Sequence, residues 1–366
     1  MSILPVRSPA TLTLPTCPRS EEPDIHAHPI LRLVRRRLPV GVLTLFLVSV
    51  VVFGATEVLP GNAAYAILGR NANPVRLRAL EDTLHLNRGL FDQYWVWVSG
   101  LFQGRLGDSL LNREPVWTLV EPRLVNSAVL VVVTGVIGSL LGMALGVLAA
   151  VRKDGWFDHV TSVALLAATS LPEFVVAIGL IILLATVVWH LLPGVSLLPP
   201  GTYAWSEPNL LILPAVSLLA PGQYAWNAPQ LLVLPVVTLV IVIVPYTMRM
   251  MRAAMVEALE SDYVEMAQLK GVPERRIVLV HALPNAIAPT IQVIGLGFLY
   301  LAGGVVVVEY VFNFPGIGQG LVYAVDARDV PVVQFIVLVL AAFYVVMNIL
   351  TDVVALMATP RRRIAR

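Results

Sequence analysis

Six long apolar runs constrain the fold of this chain most strongly. They lie at about 38–58, 125–151, 160–192, 231–251, 286–308 and 332–356. A helix needs roughly 20 apolar residues to cross a bilayer core, where the backbone must satisfy its own hydrogen bonds. With 57% hydrophobic and 13% charged residues, the sequence predicts an all-α polytopic membrane protein with six transmembrane helices, forming one domain over 35–360.

The third run is long enough for a tilted or broken helix. Pro172, in SLPEF, lies inside it and lacks the backbone N–H that an unbroken helix needs. The sequence therefore predicts a kink there.

The distribution of positive charge predicts the orientation. Of the 25 Lys and Arg residues, seventeen lie before the first run, between the second and third, from Arg249 at the end of the fourth to the start of the fifth, or after the last. Because cytoplasmic flanks retain positive charge, both termini should be cytoplasmic. The flexible Pro-rich tail 1–34 contains no cleavable signal peptide, and 361–366 forms a basic cytoplasmic tail.

Two segments are expected on the external side. The loop 59–124 contains short helical patterns at 74–84 and 92–102. The loop 193–230 contains most of a 21-residue duplication, VSLLPPGTYAWSEPNLLILPA followed by VSLLAPGQYAWNAPQLLVLPV, with 14 identical positions. Only the second copy runs on into a long apolar stretch, so it should begin the fourth span while the first stays outside.

The polar segment 252–285 separates the fourth and fifth spans. Good helix formers fill 252–270, and Gly271 can end a helix in the left-handed conformation. Pro273 can open the next helix, so the segment predicts a helical hairpin. One face of its first helix, formed by Tyr263, Met266, Ala267 and Lys270, suits either a groove on another protein or the lipid surface.

The hairpin also resembles a known family. Its sequence, DYVEMAQLKGVPERRIVLVHALPNAIAP, is similar to the EAA loop of binding-protein-dependent ABC transporter permeases, in their dipeptide, oligopeptide and nickel branch. The loop pattern is matched at Glu265, Ala267, Gly271, Leu283 and Pro284, while Met266 stands in place of its first Ala and His281 in place of its usual Ile. Further matching blocks are RRRLPVGVLTLFLVSVVVF, LPGN, LGRNANP, GRLGDS, PRLVNS, GVLAAVRKDGWFD, SLPEF, VVVVEYVFNFPGIG and RDVPVVQ. The long first external loop is more like that of the B-type permease subunit of such transporters than that of the C-type subunit.

The resemblance implies a type I, MetI-like permease fold in the inner membrane of a prokaryote. It implies a C-type permease subunit as heterodimer partner, two cytoplasmic ATP-binding subunits and an external substrate-binding protein. The implied cargo is a di- or oligopeptide, with nickel or another small solute as the alternative. The residues implied to couple the permease to the ATPase are Asp262, Tyr263, Glu265, Ala267, Lys270 and Gly271.

The chain itself carries no ATP-binding motif. A phosphate-binding loop needs Gly-Lys-Ser/Thr, and neither of the two lysines, Lys153 and Lys270, follows a glycine. We therefore expect no cofactor in this chain, with ATP and Mg²⁺ bound by the partner ATPases.

The translocation path is predicted from polar groups at membrane depth, because such groups usually face a cavity or a partner. Glu173 is the main candidate, and its carboxylate could meet a peptide ammonium group or a cation. It occupies a position where the family usually has a small polar residue. Glu309 could instead be solvated near an interface. The full set of candidates is Glu173, Gln292, Glu309, Asn313 and Gln334.

Other functions are less well supported. An ion-coupled secondary transporter would need paired intramembrane carboxylates and inverted repeats. The six histidines are scattered, without HExxH or GxSxG, so neither catalytic residues nor a metal site are predicted. The basic clusters fit topology signals and contacts with lipid headgroups, and they show no nucleic-acid footprint.

Deleting Val195–Ala215 tests the placement of the duplication. One repeat copy is then lost, and we expect six spans and a cytoplasmic C-terminus to remain. A C-terminal reporter fusion whose activity depends on the side of the membrane measures this. An external C-terminus would contradict the chosen fourth span.

Overall fold

A computed structural model describes residues 29–58, 73, 89–187, 224, 226 and 229–358. These residues are largely helical, and no β-strand occurs among them. The α-helices are α1 Pro29–Val58, α2 Leu90–Phe102, α3 Val116–Val151, α4 Trp156–Thr169, α5 Glu173–Ile181, α6 Val233–Leu259, α7 Asp262–Leu269, α8 Leu283–Val311, α9 Ile317–Asp326 and α10 Val330–Ala358. A helical turn, Glu274–Arg276, and a π-helical segment, Ile277–Ala282, lead into α8.

Five of the described helices are long and apolar enough to cross a membrane by themselves: α1, α3, α6, α8 and α10. The helices α4 and α5 meet the same criteria only as a pair and are bent by 102° to each other, so the described residues contain six spans when this pair is counted as one. Pro172 precedes α5 in an extended conformation. The predicted interruption at this proline is therefore confirmed, and it is a sharp elbow.

The centre of the bundle is the packing of α3, α6 and α8. Leu130 of α3, Leu239 and Ile243 of α6 and Leu301 of α8 are almost fully buried together. Small residues let α3 approach α6 closely, as in many membrane helix pairs. Gly138, Gly142 and Gly146 lie against Ile243, Thr247 and Met251 in turn.

Two helices begin earlier than the predicted segments. α1 begins at Pro29 and therefore includes the last residues of the predicted tail 1–34. α3 begins at Val116, nine residues before the predicted span. The helix α3 continues through Pro122, and Val116 and Val120 in its first two turns are fully buried. Burial therefore extends the helix into the predicted loop 59–124.

Several expectations lie outside the described residues. These are the tail up to residue 28, the helical pattern at 74–84, the first copy of the duplication with much of the second, and the basic tail 361–366. The second short helix of the 59–124 loop is present as α2.

Gly146→Ala tests the close packing of α3 on α6. A Cβ at this position would lie 2.8 Å from the Met248 carbonyl oxygen, and backbone cannot move aside easily. We expect the free energy of unfolding to fall by about 1–3 kcal/mol. Unfolding in mixed micelles with increasing denaturing detergent measures it.

Gly303→Ala is the matched control. Gly303 lies inside α8, and a Cβ there would meet no atom within 4 Å. Its free energy of unfolding should stay equal or rise by less than about 1 kcal/mol, because alanine favours helix. Equal losses in both variants would contradict the packing argument.

Candidate functional site

The first arm of the hairpin is two helices and not one. The predicted helix over 252–270 is interrupted at Ser261, whose backbone is extended and which separates α6 from α7. The Ser261 hydroxyl donates a 2.5 Å hydrogen bond to the Ala258 carbonyl oxygen. Serine side chains compete in this way with the helical backbone bonds. The break separates the eight residues of α7 from the long transmembrane helix.

Gly271 ends α7 with φ of +74°, as its position in the sequence predicts. The Gly271 N–H donates to the Gln268 carbonyl at 2.8 Å, and the Val272 N–H donates to the Ala267 carbonyl at 3.1 Å. This pair of bonds is a Schellman motif, which satisfies the carbonyl groups at the end of a helix. A side chain at Gly271 would meet no neighbour, so the constraint is on the backbone alone.

The second arm is continuous with a transmembrane span. We expected a separate short helix after Pro273, but the turn Glu274–Arg276 runs through the π-helical segment into α8. Together they form one helical stretch from Glu274 to Val311. Movement of the hairpin therefore reaches α8 without crossing a loop.

One buried residue anchors α7 and leaves its other side chains accessible. Val264 is fully buried, and the Tyr263 hydroxyl accepts a 3.0 Å hydrogen bond from the Asn285 side chain. Met266 and Leu269 are 54% and 76% exposed, although they are apolar. The structure brings the six predicted coupling residues together on this projection: five are exposed and Ala267 is half-buried.

Ionic contacts tie the base of the hairpin to the broken span. The Arg252 guanidinium of α6 donates two 2.5 Å hydrogen bonds to the Asp158 carboxylate of α4. Asp158 is almost completely buried and also accepts a bond from the Asp154 N–H at 3.1 Å. Such bidentate arginine–carboxylate pairs fix geometry as well as adding energy.

A second, exposed ion pair lies close by. The Lys153 ammonium group, in the turn after α3, contacts the Glu260 carboxylate at the end of α6. This contact raises the pKa of Lys153. Sequence reasoning identified neither ion pair, since the partners are about a hundred residues apart. The one local indication of either pair was Asp158, an acidic residue in the first turn of the apolar helix α4.

Glu309 lies at the opposite end of the bundle and is completely buried. Its carboxylate accepts hydrogen bonds from the Ser127 hydroxyl at 2.5 Å, the Gly318 N–H at 2.8 Å and the Gln319 N–H at 3.3 Å. The last two N–H groups belong to the first turn of α9, where a negative group is favourable. Glu309 therefore neither lines a path nor meets solvent in this conformation; it fixes α9 on α8.

The other predicted path residues are dispersed. The buried Gln334 donates a 2.8 Å bond to the Thr56 hydroxyl, between α10 and α1. Asn313 lies in the turn before α9 and accepts a 2.6 Å bond from the Gln319 side chain. Gln292 is exposed on α8. The structure thus does not bring the five candidates to one surface.

Glu173 has partners that the sequence did not reveal. It opens α5, immediately after the elbow, and is half-buried. Its Oε2 atom accepts a 3.1 Å hydrogen bond from the Tyr300 hydroxyl of α8. The ring of Tyr300 lies 6.3 Å from that of Tyr246 in α6. One carboxylate and two aromatic rings from three different spans therefore form a group.

Comparison with known proteins identifies the family. Residues 142–364 match the family described as the binding-protein-dependent transport system inner membrane component, and residues 30–131 match the N-terminal region of such components. The chain belongs to this family. Its fold is accordingly the MetI-like permease fold, as predicted.

Curated relatives match over nearly their whole length. The chain is 33% identical over 338 residues to the glutathione transport system permease protein GsiC of Escherichia coli strain CFT073, covering 91% of this chain and 99% of the relative. GsiC of strain K12 has the same identity and coverage. GsiC of Shigella boydii is 32% identical over 335 residues, covering 91% and 99%. The chain is thus a transport permease and not an enzyme, and it works with separate ATPase and substrate-binding proteins.

Asp158→Ala tests the buried ion pair at the hairpin base. It leaves the partly buried Arg252 guanidinium without its carboxylate, so we expect the free energy of unfolding to fall by about 1.5–3 kcal/mol. Detergent-induced unfolding measures it. Glu260→Ala is the control, because it breaks an exposed pair that solvent screens. A loss in the control as large as in Asp158→Ala would contradict the importance of burial.

Proposed function

We propose that this chain is the B-type permease subunit of an ATP-driven ABC importer for peptides delivered by an external binding protein. The observation that carries the proposal is the exposed α7, which is anchored by the buried Val264 and lies between two membrane spans, α6 and α8. The relatives named for glutathione transport support a peptide cargo, since glutathione is a tripeptide. Nickel or another small solute is the alternative cargo, because the branch that the sequence resembles includes nickel permeases.

The proposed orientation places α7 in the cytoplasm. Arg37 of α1 forms a 2.7 Å ion pair with Asp352 of α10, so the beginning of α1 adjoins the last turns of α10. At the end of α3, Lys153 contacts Glu260, which directly precedes α7. These contacts support grouping the basic flanks at one end of the bundle. By the positive-inside rule that end is cytoplasmic, as are both termini, and the membrane is the inner membrane.

In the proposed mechanism, α7 receives the motion of the ATPase. Asp262, Tyr263, Glu265, Ala267, Lys270 and Gly271 would contact a cleft in one of two ATP-binding subunits. ATP and Mg²⁺ bind to those subunits, whose closure moves α7. The second half of the transport path would come from a C-type permease subunit.

Two connections carry that motion into the membrane. The stretch from Glu274 to Val311 joins the hairpin directly to α8. The Arg252–Asp158 pair joins α6 to α4, which leads through the elbow at Pro172 to α5. Rigid-body rocking of these spans would expose a cavity alternately to either side of the membrane. Hydrolysis then returns the assembly to its starting state.

Glu265→Arg and Gly271→Val test the coupling role. The first reverses a charge on an exposed face of α7. The second places a β-branched residue at φ of +74°, which strains the turn. We expect ATP-dependent peptide uptake into proteoliposomes to fall about tenfold or more, which corresponds to a free-energy change of more than about 1.4 kcal/mol. Membrane insertion should be unchanged, and ATP hydrolysis should persist.

Asp326→Arg serves as control, because it reverses an exposed acidic charge at the opposite end of the bundle. It should leave the ratio of peptide transported to ATP hydrolysed within about twofold of the original chain. Normal uptake by Glu265→Arg and Gly271→Val would refute the coupling assignment.

A further inference from the structure

We propose that Glu173, Tyr300 and Tyr246 form a binding site inside the membrane for the ammonium group of a transported peptide. This inference rests on the proposed import of peptides and specifies where the permease itself contacts the cargo. It is carried by the depth of the three residues, by the free side of the carboxylate and by the two neighbouring aromatic faces.

The site lies deep in the membrane. Tyr246 is at the centre of α6, which has 27 residues, and Tyr300 lies in the interior of the 29-residue α8. At 1.5 Å per residue, Tyr300 lies about 12 Å or more from both ends of the apolar run 286–308, and Tyr246 lies about 8 Å inside the nearer end of the run 231–251. Glu173 therefore cannot be explained as an acidic residue in the headgroup region.

One side of the carboxylate remains open to a ligand. Tyr300 donates to Oε2, and no hydrogen bond to Oε1 is found among the described residues. The backbone of α8 passes close to Oε1, because a Cβ on Gly304 would lie 3.6 Å from that atom. The adjacent Gly303 faces open space. Gly304 thus leaves space beside Oε1 that a larger side chain would fill.

No cationic side chain compensates the charge of Glu173 within the part of the chain that the structure describes. The three ion pairs found there join Arg37 to Asp352, Lys153 to Glu260 and Arg252 to Asp158. Arg249, one turn from Tyr246, is exposed and forms no ion pair with Glu173. Because an intramembrane carboxylate is costly without a partner, a cation from outside the chain is the natural occupant.

The tyrosine rings favour an organic ammonium group. Tyr246 and Tyr300 are 46% and 45% exposed, and their rings are tilted by 42° to each other. A cation within about 6 Å of such a ring is attracted by its negative face. One carboxylate with two aromatic faces resembles ammonium recognition more than the multidentate oxygen or nitrogen ligands that a metal ion requires.

Binding to the complete transporter tests the site. Both permease subunits and both ATPases are placed in nanodiscs without binding protein, so that the binding protein's own selectivity plays no part. Saturation-transfer NMR titrations then compare dialanine, which carries the ammonium group, with N-lactoyl-alanine, in which a hydroxyl replaces it. The original chain should bind dialanine about tenfold more tightly, as expected for a hydrogen bond between charged groups.

Glu173→Gln should remove that preference by weakening dialanine about tenfold while changing N-lactoyl-alanine less than about twofold, because only the charged pair is lost. Tyr246→Leu should weaken dialanine about twofold to fivefold by removing one aromatic face. Glu121→Gln is the matched control: Glu121 also accepts bonds from a tyrosine hydroxyl, that of Tyr224, at 3.1 and 3.2 Å, and its loss should leave the preference intact.

Two results would overturn the proposal. The original chain could bind both probes alike or not at all, or Glu173→Gln could weaken both equally, as it would if the carboxylate paired with the second permease subunit. ATP-dependent dialanine uptake in proteoliposomes with the binding protein separates this failure from a failure of the proposed function. If dialanine is taken up but the binding titrations show no preference for the ammonium group, only the site is refuted. If dialanine is not taken up, both the site and the proposed function are refuted.

Discussion

The absence of water in the bilayer core is the constraint on which the rest of the structure depends. The backbone polar groups at that depth must find partners within the protein, and a buried ionisable side chain is costly without one. The described structure meets this requirement at its irregular points. Glu309 is satisfied by Ser127 and by the first turn of α9, and Asp158 is satisfied by Arg252. Glu173 is different, because among the described residues only its Oε2 atom accepts a hydrogen bond, from Tyr300.

The two ends of the bundle differ in how they are held. At the end opposite the hairpin, the loops are fixed to one another: Asp329 accepts hydrogen bonds from the Ser109 hydroxyl and from the Leu110 N–H at 3.1 Å. Arg123 donates to the Gln319 side chain at 3.2 Å. At the hairpin end, α7 projects from the bundle with a single fully buried side chain. This contrast fits the proposal that an ATPase moves α7 while the opposite end of the bundle is held in place.

Local signals in the sequence were sufficient for much of the fold and for the hairpin turn. Apolar run length predicts the spans, Pro172 predicts the interruption of the third, and Gly271 predicts the end of α7, because each effect acts within a few residues. The start of α3 was not predictable in this way, since the burial of Val116 and Val120 against distant helices overrides the loop-like character of Pro122. The Arg252–Asp158 pair and the roles of Glu309 and Tyr300 depend on tertiary contacts between residues far apart in sequence, which periodicity cannot reveal.

The Schellman turn at Gly271 has an evolutionary consequence. The shape of α7 is secured by backbone bonds, by one glycine, by the buried Val264 and by the hydrogen bond between Tyr263 and Asn285, so exposed side chains such as Met266 and Leu269 contribute little to its folding. Mutations can therefore alter those side chains without unfolding the projection. If α7 has the proposed coupling role, its contact surface for an ATPase can change in this way while the transport pathway stays unchanged.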